Sequence, residues 1–185
     1  MVAMVMCVLS VLLPLKPVAA AQVEGWGGMA AAGRFVLLRH ALAPGTGDPN
    51  HFDVDNCSTQ RNLSDTGRKQ AVRIGRLLRE DGIDTARVYS SQWCRCLETA
   101  RLLGFGGVQE LTELNSFFRE PSERQARTLA LKKWMQEYRR QEITVLVTHQ
   151  VNITALTGIY PSSGELVFVR LDGETVVVES RVETN

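Results

Sequence analysis

Short apolar runs alternate with amphipathic stretches along most of the chain, and their periods separate strands from helices. Arg34-Phe35-Val36-Leu37-Leu38-Arg39 is a continuous apolar run ended by charge, as expected of a strand buried on both faces. Arg87 to Ser90 and Val108 to Leu111 read as further strands, and Ile143 to Thr148 is the clearest of them. Ser64 offers an N-cap for a helix to Glu80, with Ala71, Ile74, Leu77 and Leu78 on one face. Arg68, Lys69, Arg73, Arg76 and Arg79 fall largely on the other face, and Gly82 is the stop signal. Helices are also expected over Trp93 to Leu103, Ser122 to Arg140 and Asn152 to Thr157. Glu165 to Leu171 and Thr175 to Glu179 are β-rich runs around Asp172-Gly173, a hairpin signal. Strand and helix alternation closed by a hairpin predicts an α/β fold. The expected architecture is a three-layer α/β/α sandwich, its central sheet mostly parallel with an antiparallel edge strand.

The N-terminal stretch follows neither period. Residues 2 to 15 carry no charge and are interrupted only by Ser10 and Pro14, the length of a signal-peptide apolar region and too short to span a bilayer. Lys16-Pro17 and the small residues Ala19-Ala20-Ala21 follow. Residues 1–21 therefore read as an export signal removed from the mature protein, although no Lys or Arg precedes the apolar run. A buried N-terminal helix is the alternative, disfavoured by Pro14 and Pro17. Residues 22–33, rich in Gly and Ala, read as a flexible lead-in. That leaves residues 34–185 as a single domain, exported to a bacterial periplasm, with no stable membrane anchor once the signal is gone.

Composition adds exclusions. At 44% hydrophobic and 22% charged residues, 185 residues fit one globular domain. With 21 basic residues against 20 acidic, there is no electrostatic basis for a nucleic-acid partner. Lys16 is the only charged residue in the expected signal, so the rest of the chain is balanced. Neutral on average, the chain still concentrates charge. In α/β sheets, ligands gather at the carboxyl ends of strands. There Arg39-His40 follows the first strand, Thr148-His149 follows the strongest, and Arg95 opens the helix after the second. Two fixed cations beside a helix N-terminus suit a dianion, most naturally a phosphoryl group.

Four segments resemble the motifs of the histidine phosphatase (phosphoglycerate mutase-like) superfamily, in its order. They are Arg39-His40-Ala41, the stretch Asn62 to Ala71, the segment Ser91 to Ala100 with Arg95, and Val147-Thr148-His149. The resemblance spans Arg34 to about Leu156 and implies a phosphatase that works through a covalent phosphohistidine. His40 would be the nucleophile, with Arg39, Arg95 and His149 gripping the phosphoryl oxygens. Glu113, in Leu111-Thr112-Glu113, resembles the family's proton-donating carboxylate, with Glu110 behind it. Arg61, Asn115 and His51 are candidate substrate contacts. No metal or other cofactor is implied, since the arginines supply the positive charge, and the expected partner is a small-molecule phosphate ester. Ala41 stands where many members have Gly.

The connection from His40 to Ser64 is long for a βα loop and dense in turn residues, as expected of a lid or substrate-binding element. It carries Cys57, and Cys94 and Cys96 flank Arg95. In an oxidising compartment Cys57 is expected to pair with Cys94 or Cys96; a zinc site from these cysteines with His51 is the weaker reading, because Cys-x-Cys is a poor ligand spacing. Two functions follow: a phosphomonoesterase, or a phosphate-ester-binding or regulatory protein with weak or phosphohistidine-type phosphatase activity. A mutase is a third and weaker option.

Overall fold

The protein was analysed as a computed structural model that describes residues 33–138 and 142–184. The expected export signal, nearly all of the lead-in, and the end of the expected helix to Arg140 lie outside the described residues.

Six strands form one sheet: β1 (Arg34–Arg39), β2 (Arg87–Ser90), β3 (Val108–Glu110), β4 (Thr144–Thr148), β5 (Leu166–Asp172) and β6 (Thr175–Val182), in the spatial order β3-β2-β4-β1-β5-β6. β3, β2, β4 and β1 run parallel. β5 is antiparallel to β1, and β6 closes the edge antiparallel to β5. The sheet is thus mostly parallel with an antiparallel edge, as the pattern predicted. Its hairpin places Gly173 at φ 60° between paired Asp172 and Thr175, the positive φ that a two-residue turn of this hand needs at its first central position.

Alternate residues of β1 enter opposite layers, which explains the unbroken apolar run. Val36 and Leu38 pack with Ile74 and Leu78 from α1 (Asp65–Glu80), Ala100 from α2 (Cys94–Leu102) and Leu103 at its C-cap. Phe35 and Leu37 pack with Leu131 and Met135 from α3 (Arg124–Glu137) and Ile153 from α4 (Gln150–Thr157). Helices therefore cover both faces and complete the α/β/α sandwich.

Local signals set the helix ends. The Ser64 side chain accepts from Gly67 N at 3.1 Å, as its N-cap position predicted. Gly67 also has a packing role, because a Cβ there would collide with the Leu42 carbonyl and push the loop after His40 away from α1. α3 differs from the expected start at Ser122: Pro121 to Glu123 make a 3-10 turn and the α-helix begins at Arg124 without a side-chain cap.

Candidate active site

Strand register brings the three motif-bearing chain ends to one rim. Arg39 pairs with Thr148 and Ser90 with Val147, so the residues after β1, β4 and β2 emerge side by side. They surround a cavity of about 120 Å³ lined by Arg39, His40, Asp48, Arg61, Arg95 and His149, with Ser116, Phe118 and Tyr160 at its wall.

His40 is 2% exposed. Its backbone N donates to Thr148 O at 3.0 Å, which anchors it to β4. Its Nδ1 lies 2.8 Å from the Ala41 carbonyl. A carbonyl can only accept, so the proton is assigned to Nδ1 and the lone pair to Nε2. Burial, and next the Arg95 charge, hold this imidazole well below its usual pKa. It is a neutral ring with a basic nitrogen at physiological pH.

Arg95 sits in the first turn of α2, fixed to Asp48 by a two-point ion pair: Nη1 to Oδ1 at 2.6 Å and Nη2 to Oδ2 at 3.1 Å. Both side chains are almost fully buried, at 3% and 7% exposed. Asp48 also accepts from Arg61 N at 3.1 Å and Trp93 Nε1 at 3.1 Å. Burial alone would raise this carboxyl's pKa; the Arg95 hydrogen bonds and charge outweigh that and hold it below the usual range. The turn-rich loop thus delivers a permanent anion to the cation expected to bind phosphate.

Arg39 donates through Nη1 to Pro161 O at 2.8 Å, and its buried Nε has no protein partner; the same is true of Arg95 Nε. Arg61 donates through Nε to Gly47 O at 2.8 Å and through Nη1 to Ala43 O, so it braces the loop as well as lining the cavity. Burial, then the neighbouring Arg95 charge, lowers its pKa to about 10, still cationic at neutral pH. Among the lining residues three guanidiniums face one carboxylate and two neutral imidazoles, leaving a local surplus of about two positive charges, the complement of a dianion.

His149 caps α4 and its ring stands 5.6 Å from that of His40. Nδ1 is 3.4 Å from Arg95 Nη2, a donor only, so Nε2 carries the proton and gives it to Ser91 Oγ at 2.8 Å. Ser91 in turn donates to Asn115 Oδ1 at 3.2 Å. Burial first, then Arg95, keeps His149 neutral too.

Five of the candidate residues therefore meet: Arg39, His40, Arg61, Arg95 and His149. Three do not line the cavity. Asn115 is buried behind it, where it orients Ser91 and the Gln92 backbone. His51 is exposed on the loop. Glu113 lies in the 3-10 turn Thr112–Leu114 and accepts from Thr112 Oγ1 at 3.2 Å. The turn explains this placement: with three residues per turn, burying Leu114 in the core rotates Glu113 away, and the segment meets the cavity at Ser116 instead. Asp48 is the functional residue that motif reading did not place. Its signal, a lone acid in the turn Gly47-Asp48-Pro49, is local, while its partner is 47 residues away.

The loop is fastened at further points. Cys57 and Cys94 form a disulfide with Cα atoms 5.7 Å apart, and Cys96 is a free, buried thiol. This selects Cys94 from the two expected partners, and it removes the zinc reading, since two of the supposed ligands are bound to each other. Phe52 stacks on Trp93 with centroids 5.0 Å apart, and Gln60 Oε1 accepts from Cys94 N, capping α2.

Comparison with known proteins agrees with this geometry. Residues 35–120 match the Histidine phosphatase superfamily (branch 1). That stretch runs from β1 through α2 to the segment after Leu114 and is similar to the family over those residues. No curated protein sequence gives a match. Among solved structures, this chain resembles the protein histidine phosphatase SixA complexed with tungstate at 15% identity and TM-score 0.59, covering 82% of this chain and 97% of that one. An open reading frame product of Mycobacterium tuberculosis is 20% identical with TM-score 0.58, covering 80% and 95%. The mycobacterial glucosyl-3-phosphoglycerate phosphatase complexed with VO3 is 17% identical with TM-score 0.56, covering 80% and 98%. At these identities the likeness is one of fold. Among the described residues no helix is long and apolar enough to cross a membrane.

Proposed function

We propose that this protein is a phosphatase that hydrolyses a phosphate monoester through a phosphohistidine on His40. The observation that carries the reading is a neutral, buried imidazole with its Nε2 lone pair free, set among Arg39, Arg61 and Arg95. Nε2 attacks phosphorus, an N–P bond forms and the ester P–O bond breaks; water then attacks phosphorus and the N–P bond breaks, releasing phosphate. The arginines hold the phosphoryl oxygens, supplying positive charge where it is needed through both displacements. His149, fixed by Ser91, completes the wall beside Arg95. Two structural relatives are complexes with oxyanions, tungstate and VO3, which supports an oxyanion-binding reading for this fold.

One observation restricts the leaving group. Among the described residues Asp48 is the only carboxylate lining the cavity, and Arg95, Trp93 and Arg61 hold it ionised. No carboxylic acid among the described residues stands ready to protonate an alkoxide, which favours esters whose leaving group departs as a stable anion, or phosphoramidates such as phosphohistidine whose nitrogen takes its proton from solvent before the P–N bond breaks. Export belongs to the same reading: residues 1–21 act as signal, residues 22–33 as lead-in, 34–185 as the working domain, and the Cys57–Cys94 bond suits an oxidising compartment such as a periplasm.

The test is rapid quench with a labelled phosphate ester. An acid-labile, base-stable phosphoenzyme is expected in the wild type and none in His40→Ala; label retained in His40→Ala overturns the mechanism. Glu113→Gln should turn over aryl and alkyl phosphates at the wild-type rate, and a selective loss on alkyl esters would restore Glu113 as the acid.

A further inference from the structure

The phosphoryl cavity does not end at a polar rim. Its wall residues Phe118, Gln150 and Val151 also line a second hollow of about 310 Å³, completed by Phe117, Pro121, Arg124, Thr154 and Ala155. Arg124 apart, the polar side chains among these, Gln150 and Thr154, bond to each other or to backbone. Gln150 Nε2 donates to Thr154 Oγ1 at 2.8 Å, and Thr154 Oγ1 donates to Ile159 O at 2.7 Å. Except for Arg124 at its edge, what faces the hollow is apolar, and Phe118 stands 49% exposed at the junction. Past Pro121, Arg124 and Ala155 the surface dips again, beside Leu129, which is 57% exposed.

We propose that this hollow seats the leaving group and that the substrate class is an aryl phosphomonoester. The proposal rests on the phosphatase reading above and adds to it what lies on the other side of the scissile bond. Continuity decides the occupant: a phosphoryl group held by Arg39, Arg61 and Arg95 must direct its ester substituent toward an open wall, and this apolar hollow shares that wall. Size agrees, since a cavity of roughly 150 Å³ holds a benzene ring, and the hollow is about twice that. Acidity agrees independently. A phenol with pKa about 10 leaves as its anion, whereas an alcohol, close to water at about 15.7, needs the proton donor that the cavity lacks. In the balanced step, His40 Nε2 forms the N–P bond as the phenolate departs with the P–O electron pair. Water then gives its hydroxyl to phosphorus and its proton to the phenolate.

The experiment is a series of phenyl, 4-ethylphenyl and 4-butylphenyl phosphates, whose phenols share one acidity while their apolar size grows. Acetyl phosphate is the ring-free control with a good leaving group. In the wild type kcat/KM should rise roughly twofold per added methylene, about half the effect of full burial. Ala155→Asp, in the hollow and outside the phosphoryl cavity, should flatten that rise and leave acetyl phosphate turnover unchanged. Arg124→Leu, at an exposed helix position, should steepen it and so reports even where Ala155→Asp folds poorly. A flat series in the wild type, or a slope that survives in Ala155→Asp, overturns the proposal while leaving the phosphatase intact. Glycerol phosphate turned over as fast as phenyl phosphate overturns the aryl restriction. No turnover of any of these compounds, with no phosphoenzyme, overturns the phosphatase reading itself.

Discussion

Two neutral histidines packed among three arginines set the behaviour of the site residue by residue. His40 and His149 are both held well below the ordinary histidine value, by burial first and by Arg95 next. In the unfolded chain they would take up protons near pH 6.5, so the unfolded state binds more protons than the folded one below that pH. Stability is therefore full above about 6.5 and falls as the pH drops toward the folded values, by as much as about 2.7 kcal/mol per unit for the pair. In NMR titration neither of these two imidazoles should shift between pH 8 and 6; titration of His40 near 6.5 would contradict the buried neutral assignment. Asp48 behaves the opposite way to a catalytic acid. Asp48→Asn leaves the Arg95 charge buried without its counter-ion and should cost about 3 kcal/mol in chemical denaturation. Millimolar inorganic phosphate should return part of that loss, because phosphate offers Arg95 a substitute anion. A variant as stable as wild type without phosphate would show that the ion pair contributes little.

At the scale of elements, the parts of the fold legible in the sequence are those decided within a few residues. The apolar run of β1, the Ser64 cap and the Asp172-Gly173 turn each state their structure locally, and each is found where expected. The motifs Arg39-His40, Arg95 and Thr148-His149 were readable for a related reason: a strand end needs no partner to be a strand end. What the sequence could not show is settled by contacts at long range. The Asp48–Arg95 pair joins a loop to a helix, and the outward turn of Glu113 depends on Leu114 finding the core. α3 starts two residues later than the pattern predicts because Pro121 opens a 3-10 turn over Pro121–Glu123, which composition alone does not separate from the helix. The loop itself is an element held by cross-links. Closing a span of 37 residues, the Cys57–Cys94 bond should contribute roughly 3 to 4 kcal/mol. Cys57→Ser should lower the melting temperature and raise KM more than it lowers kcat, because the loop carrying Asp48 and Arg61 loosens while His40 stays anchored to β4. An unchanged KM would mean that Asp48, Phe52 and Gln60 hold the loop unaided.

For the molecule as a whole, the near balance of 21 basic and 20 acidic residues conceals a division of labour. Most ion pairs lie on the surface, such as Arg76–Glu80 and Arg87–Glu142, where solvent screening leaves each worth little. The buried exception, Arg95–Asp48, sits at the mouth of the proposed reaction. A chain with no net attraction for anions at a distance thus relies on focused charge at one strand-end pocket, and salt should weaken substrate capture less than it would for a protein with a broad basic face.

Cys96 gives the disulfide a competitor. One residue beyond Arg95, it lies 3.5 Å from His149 Nε2, and burial pushes its thiol up to about 12, so in the folded protein it is almost inert toward exchange. In the unfolded chain it has an ordinary thiol's reactivity and is two positions from Cys94, an equal rival for Cys57. Bond formation before the sheet assembles would mix the two pairings, and a Cys57–Cys96 link would draw toward the loop a side chain that belongs under His149. Correct oxidation therefore has to follow folding: the core shields one thiol and leaves the other beside Cys57, so the pairing is chosen by packing rather than by proximity along the chain.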